Sequence, residues 1–381
     1  MDLKHLTGNA THTPLQLKFH EAMKSHGGRL PWELLPPSAK AIPAVYQLAQ
    51  ALISRANKVY PCLPSIHFGF INSNAINGIA CKSNDEYFIG ITAGTVTLLQ
   101  LMVHRMLADP TLFTNVGDPT KEEANLPHIK EFTPNALELS GASTKVSIPK
   151  DKVRWSYSCN LINWAAIFLV GHEIAHISCG HVDYFDSNIG TPSLAELGWS
   201  AANAIKPMER QAMEGQADQY SFAGLLGIAF EKNNTNSSAS TRAQLADLFR
   251  RVFEYSFSAN LLFRLFGDER FVGSDLAADS YPPIGLRRRF IYGGGCDLAR
   301  RNLTSDRQDI VQRALEAGMV AVEHAFATVV GEEVSADGLE DAFSSEGQAH
   351  FKLLVELGEK ELAARLKPFS YDRDDQNAGE F

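Results

Sequence analysis

Apolar positions recur every three to four residues over 15–26 and 38–59, a spacing that predicts two helices. The proline-rich stretch LPWELLPPS (30–38) separates them as a breaker. The texture then changes. SIHFGFINSNAINGIA (65–80) and EYFIGIT (86–92) are rich in β-branched and aromatic residues and predict two adjacent strands, with CKSND as the turn between them. A helix is predicted over 93–107, stopping before Asp109-Pro110, whereas 109–152 is polar, proline-containing and without a period. That stretch predicts an insertion or a covering loop. A long helix follows from about Ser158 to Gly180, where the glycine is the stop signal. Beyond a loop with Gly190, Pro192 and Gly198, helices are expected over 207–231 and 241–266, joined by the polar connector KNNTNSSAS (232–240). Residues 267–285 are turn-rich, two or three amphipathic helices follow (306–330 and 346–366 among them), and the tail YDRDDQNAGEF is expected to fray. No internal repeat interrupts this order.

The long helix carries an unusual load. At 169–181 it reads LVGHEIAHISCGH, placing two histidines and a glutamate behind an apolar run that starts at Leu161. Burying such groups without partners is unfavourable. Residues four apart share a helix face, so His172 and His176 can reach one point. A tetrahedral zinc ion takes neutral imidazole nitrogens, and an HExxH helix supplies two of them from a rigid element. Glu173 is rotated off the ligand face and is suited to accept a proton from water activated by the metal.

A catalytic zinc needs a third protein ligand and one open position. His181 lies five residues past His176, one short of the metzincin spacing, and Cys179 stands where that motif has glycine, so the metzincin pattern fails. Cys179 itself is a weak candidate, three residues past His176. The stretch RQAMEGQADQYSFAGLL (210–226) offers Glu214 and Asp218, four apart on one face of a helix with few other charges. One carboxylate on the metal and another a turn away, orienting a ligand, is a workable arrangement.

Composition narrows the class. The chain of 381 residues is long enough for one large domain or two ordinary ones, and 45% hydrophobic with 21% charged residues is usual for a soluble globular protein. A formal net charge of −9 argues against a general binder of nucleic acid or anionic membrane. The five cysteines are scattered without a CxxC and read as reduced thiols. The start, MDLKHLTGNATHTP, lacks an apolar signal region, and no run of about 18 uninterrupted apolar residues predicts a membrane span. The expectation is a cytoplasmic protein. His104, on an apolar helix, reads as a core or boundary histidine, and Arg287-Arg288-Arg289 with Arg300-Arg301 as a solvated face or basic patch. Neither a phosphate loop nor a GxSxG elbow is present.

HEIAHISCGH resembles the HExxHxxxxH pattern of gluzincin metallopeptidases related to the CAAX prenyl and HtpX-type proteases, and EGQAD (214–218) is similar to their ExxAD motif. SNAINGIA (73–80) resembles their Asn-Ala segment, FIGITAGTVTLL (88–99) the following strand and helix start, and SYPPIGLRRRF (280–290) the THPPxxxR motif, with Tyr281 in place of histidine. The motifs fall in the family's order over 65–107 and 158–290. Without membrane helices, the chain is more similar to small soluble gluzincins or to the phage-exclusion protease Lit. The resemblance implies a zincin-like α+β fold, mostly helical, with a small sheet beside the HExxH helix. The corresponding division is an N-terminal helical region 1–64, a metallopeptidase domain 65–295 and a C-terminal helical region 296–381. It implies zinc (Zn2+) on His172, His176 and Glu214, with Glu173 as general base and Asp218 as support. Tyr281 and Arg287 become transition-state candidates, and a strand edge at Asn74 and Ala75 would take substrate backbone by β-augmentation. The activity implied is zinc-dependent endopeptidase action on a protein or peptide. The alternative is a zincin-like binding or regulatory module without catalysis, against which the intact Glu173 argues.

Overall fold

The computed structural model describes residues 13–35, 41–83, 85–129, 147–190, 193–195, 206–235, 241–267, 270–271, 273, 275–279 and 281–371. The chain divides into two compact units. One comprises Met1–Ile177, Val182–Ser200 and Thr328–Gly331, the other Ser178–His181, Ala201–Ala327 and Glu332–Phe381. The architecture is α+β and predominantly helical, as the periodicity predicts, with one small mixed sheet among the described residues.

In the first unit, helix α1 (Pro14–Ala22) opens on a capping box between Thr13 and Gln16, and α2 is Ala41–Val59. Strands β1 (Ile66–Ile71), β2 (Gly78–Ser83), β3 (Glu86–Thr92) and β4 (Ser193–Ala195) form a sheet in the order β1-β3-β2-β4. β1 pairs with β3 in parallel, and β2 is antiparallel to both β3 and β4. The segment 65–80 is therefore two strands with β3 between them, where the sequence pattern predicts one. Its apolar run is interrupted by Ser73, Asn74, Asn77 and Gly78, residue types that favour turns. Phe19 and Met23, at the end of α1, pack with Ile71, Ile79, Cys81 and Phe88 of the sheet.

Helix α3 (Ala93–Leu107) starts on the Thr92 cap. Helix α4 (Lys152–Ser178) begins six residues before the expected Ser158, because the Asp151 carboxylate accepts the amides of Val153 (3.0 Å) and Arg154 (3.2 Å). By length and composition α4 can cross a membrane, but 83% of its most apolar window is buried inside the protein. The described parts of 109–152 gather around Arg154; residues 130–146 lie outside the described set. Arg154 is about 27 Å along the helix axis from His172 at 1.5 Å per residue, so this region encloses the far end of the helix. Helix α5 (His181–Ile189) is tied to the sheet by Asp183, which accepts from Lys82 (2.8 Å) and from the Tyr87 hydroxyl.

In the second unit, α6 (Pro207–Thr235) packs against α7 (Thr241–Phe266), α8 (Ile284–Asn302) and α11 (Ser345–Leu357); α9 (Ser305–Val330, counted with this unit as far as Ala327), α10 (Asp337–Phe343) and α12 (Ala363–Leu366) complete the order. The expected helix 346–366 is α11, a widened turn and α12. The connector expected at 232–240 starts later, since α6 runs to Thr235 and 236–240 lie outside the described set. Of the arginines expected on a solvated face, Arg300 and Arg301 are exposed, but Arg287 and Arg288 are buried. Arg288 is fully buried, donating to Asn260 Oδ1 (2.8 Å), Glu323 Oε1 (2.5 Å) and the Met319 carbonyl (3.3 Å), while Arg287 is turned to Asp218.

Candidate metal centre

α4 buries His172, Glu173 and His176 almost completely. Their spacing puts the two imidazoles on one face, with His172 Nε2 and His176 Nε2 2.8 Å apart and the rings edge to face at 84°. A neutral imidazole offers one N–H and one lone pair. Two Nε2 atoms this close either share a single proton or both direct lone pairs at one cation. Glu173 leaves the helix on another side: its carboxylate lies beside Gly78, the first residue of β2. Burial, and then the negative charge of Glu173, pushes the Cys81 thiol up to about 12, so this thiol is protonated.

α6 carries a ladder of charges one turn apart. Arg210, Glu214 and Asp218 are all buried. Arg287 of α8 clamps Asp218 through two parallel hydrogen bonds, Nε to Oδ2 at 2.8 Å and Nη2 to Oδ1 at 2.7 Å, and its Nη2 stands 4.0 Å from Glu214 Oε2. Arg210 Nη2 lies 3.4 Å from Glu214 Oε1 and donates to the Tyr281 hydroxyl at 2.7 Å, with the guanidinium also over the Tyr281 ring. The two arginines balance the two carboxylates and offset their burial. Sequence reasoning missed Arg210. Its contact with Tyr281 spans 71 positions, and an arginine one turn before a glutamate reads as an ordinary helix pair. It also missed Gln211, whose amide donates to the carbonyls of Leu276 and Asp279 (2.6 Å each) and so holds the loop before Tyr281.

His172, His176 and Glu214 each offer one ligand atom, all buried and all within 4.8 Å of one another, a group that can hold a metal ion. The donor set fits the zinc expected from the sequence: two imidazoles and a carboxylate are ligands that zinc accepts. Neither His181 nor Cys179 belongs to this group; His181 Nε2 is 3.0 Å from Gln216 Oε1. Asn74 and Ala75 do not form the expected strand edge. They lie in the connection between β1 and β2, where the Ala75 carbonyl accepts the Thr92 hydroxyl (2.6 Å), and β2 itself is flanked by strands on both sides. His104 is a core histidine: its Nδ1 is 2.9 Å from Ser158 Oγ, and burial lowers its pKa to about 4. No protein-family model, curated protein or solved structure matches the chain.

Proposed function

We propose that the protein is a zinc-dependent endopeptidase acting on a protein or peptide substrate. The observation that carries the reading is the buried group of two imidazoles and one carboxylate, with a glutamate adjacent in sequence to the first imidazole. His172, His176 and Glu214 would hold the ion. When bound, zinc supplies Lewis acidity to water and to a peptide carbonyl. Glu173 has the chemistry of the base: its carboxylate takes a proton from the attacking water and hands it to the leaving amine. A structural site has no use for such a group. Asp218 keeps the Arg287 guanidinium, so in this reading Arg287 braces α8 against α6 and supports the Glu214 side of the site. Because a guanidinium can only donate, the Tyr281 oxygen accepts from Arg210 and its own proton is turned elsewhere. That phenol is the donor proposed for the oxyanion.

The test is metal content together with cleavage. The purified chain is expected to hold close to one zinc per molecule and a His176→Ala variant far less. Unstructured protein substrates are expected to be cut in a chelator-sensitive way. Equal metal in both proteins, or cleavage indifferent to the chelator, overturns the reading.

A further inference from the structure

We infer that Gly78, with the corner that precedes it, is a seat that sets the direction of the Glu173 carboxylate; this deepens the reading of Glu173 as the base and rests on it. A helix fixes the Cβ of a glutamate but leaves its side-chain torsions to be settled, so what the carboxylate lies against helps to place it. Here it lies against the backbone of Gly78. A methyl group on Gly78 would stand 2.5 Å from Glu173 Oε1 and 2.9 Å from Leu169 Cδ1. Gly78 is not in the left-handed backbone region, so its glycine answers to space and not to conformation.

The strand cannot withdraw to make room. Gly78 is paired opposite Ile91 in β3. The residue before it, Asn77, is held by the start of α3: its amide donates to Thr95 Oγ1 (2.9 Å) and Thr92 Oγ1 (3.1 Å), and its carbonyl accepts the Thr92 amide (3.1 Å). Further back, the Ser73 carbonyl accepts the Gly94 amide at 2.9 Å. Both groups that a methyl would meet are the far ends of flexible side chains, so the carboxylate yields before the strand does. Gly78 is thus a positioning residue. The segment around Asn74 and Ala75 gains a task different from holding substrate: it anchors this seat.

The experiment is Gly78→Ala in the full chain, alone and with Glu173→Gln, assayed for zinc content, KM and kcat. The expected result is unchanged zinc and KM, a kcat lower by on the order of 100-fold, as for a reacting group displaced by about 1 Å, and no further loss when Gly78→Ala is added to Glu173→Gln. A kcat within twofold of the parent, or a loss that multiplies with Glu173→Gln, overturns the seat. If the parent chain cleaves nothing, the proposed function fails and the seat is decided by unfolding. Gly78→Ala should then lower the folding constant less in the Glu173→Ala background than in the parent. Equal loss in both overturns it.

Discussion

The two ends of α4 bury costly groups in opposite ways. At its start, Arg154 is fully buried and its five N–H donors are all used, reaching the carbonyls of Leu107, Asp109, Leu112, Phe113 and Val116 at 2.7–3.0 Å. Glu122, 3.6 Å away, supplies the opposite charge and is itself held by the amides of Lys150 and Asp151. This arrangement is closed: it organises a loop and leaves no donor for a ligand. At the other end, His172 Nε2 and His176 Nε2 stand 2.8 Å apart within the buried group that can hold a metal ion. One end closes on a loop and the other belongs to a group that can hold a metal ion. Burial alone does not tell them apart.

The largest expected effect breaks the chemical end alone. Glu173→Gln keeps the shape and removes the capacity to take a proton, so kcat should fall by about 10²–10⁴, with zinc content and unfolding midpoint close to those of the parent. Retained cleavage in that variant removes Glu173 from the role of base. The converse is Arg154→Met, which takes the shared donor from five carbonyls and the opposite charge from Glu122. A loss of about 3–5 kcal/mol in urea unfolding is expected, while the molecules that remain folded still bind zinc. Zinc loss in step with Glu173-independent unfolding would show instead that the two ends form one cooperative device.

How far this contrast is legible in the sequence differs between the ends. The histidine pair is readable because its spacing of four is a local rule of helices, and so is the ladder of Glu214 and Asp218. Arg154 is not, since its partners lie 38 to 47 residues back in a region whose composition reads only as loop. The same divide runs through the fold. β3, α3 and α7 coincide with the expected spans because caps and turn residues bound them, as Thr92 and Asp109-Pro110 bound α3. α8 was hidden behind Pro282-Pro283 and a run of three glycines that reads as a breaker. In the fold, Gly295 serves contact instead: a methyl there would stand 3.0–3.3 Å from Leu315, Leu226 and Phe222. β4 is three residues long, too short to leave a period.

Metal removal sharpens the contrast further. A ligand that binds only the folded state adds about 2.7 kcal/mol at a hundredfold excess over its dissociation constant. Chelation should therefore lower the thermal midpoint of the parent and leave that of His172→Ala unmoved. Arg154 should not enter this difference: a variant of milder effect at the same end, Glu122→Gln, should lose as much on chelation as the parent. A zinc-independent midpoint in the parent would place the imidazole pair with Arg154, as one more self-sufficient buried cluster.

His104 tests the closed end by pH. Its ring sits between Gln100 and Ser158, the residue of α4 one turn after Arg154, and burial lowers its pKa to about 4 from the ordinary 6.5. Between those values the unfolded chain binds a proton that the folded one refuses, so stability is fully present above pH 6.5 and declines as pH falls toward 4. From the two pKa values the loss at pH 5 is about 2 kcal/mol. His104→Gln should remove this part of the acid sensitivity while keeping a polar partner for Ser158, as read by urea unfolding at pH 7 and pH 5. The same slope in both proteins would mean that the ring titrates freely, and that this end of α4 is wetter than a closed network allows.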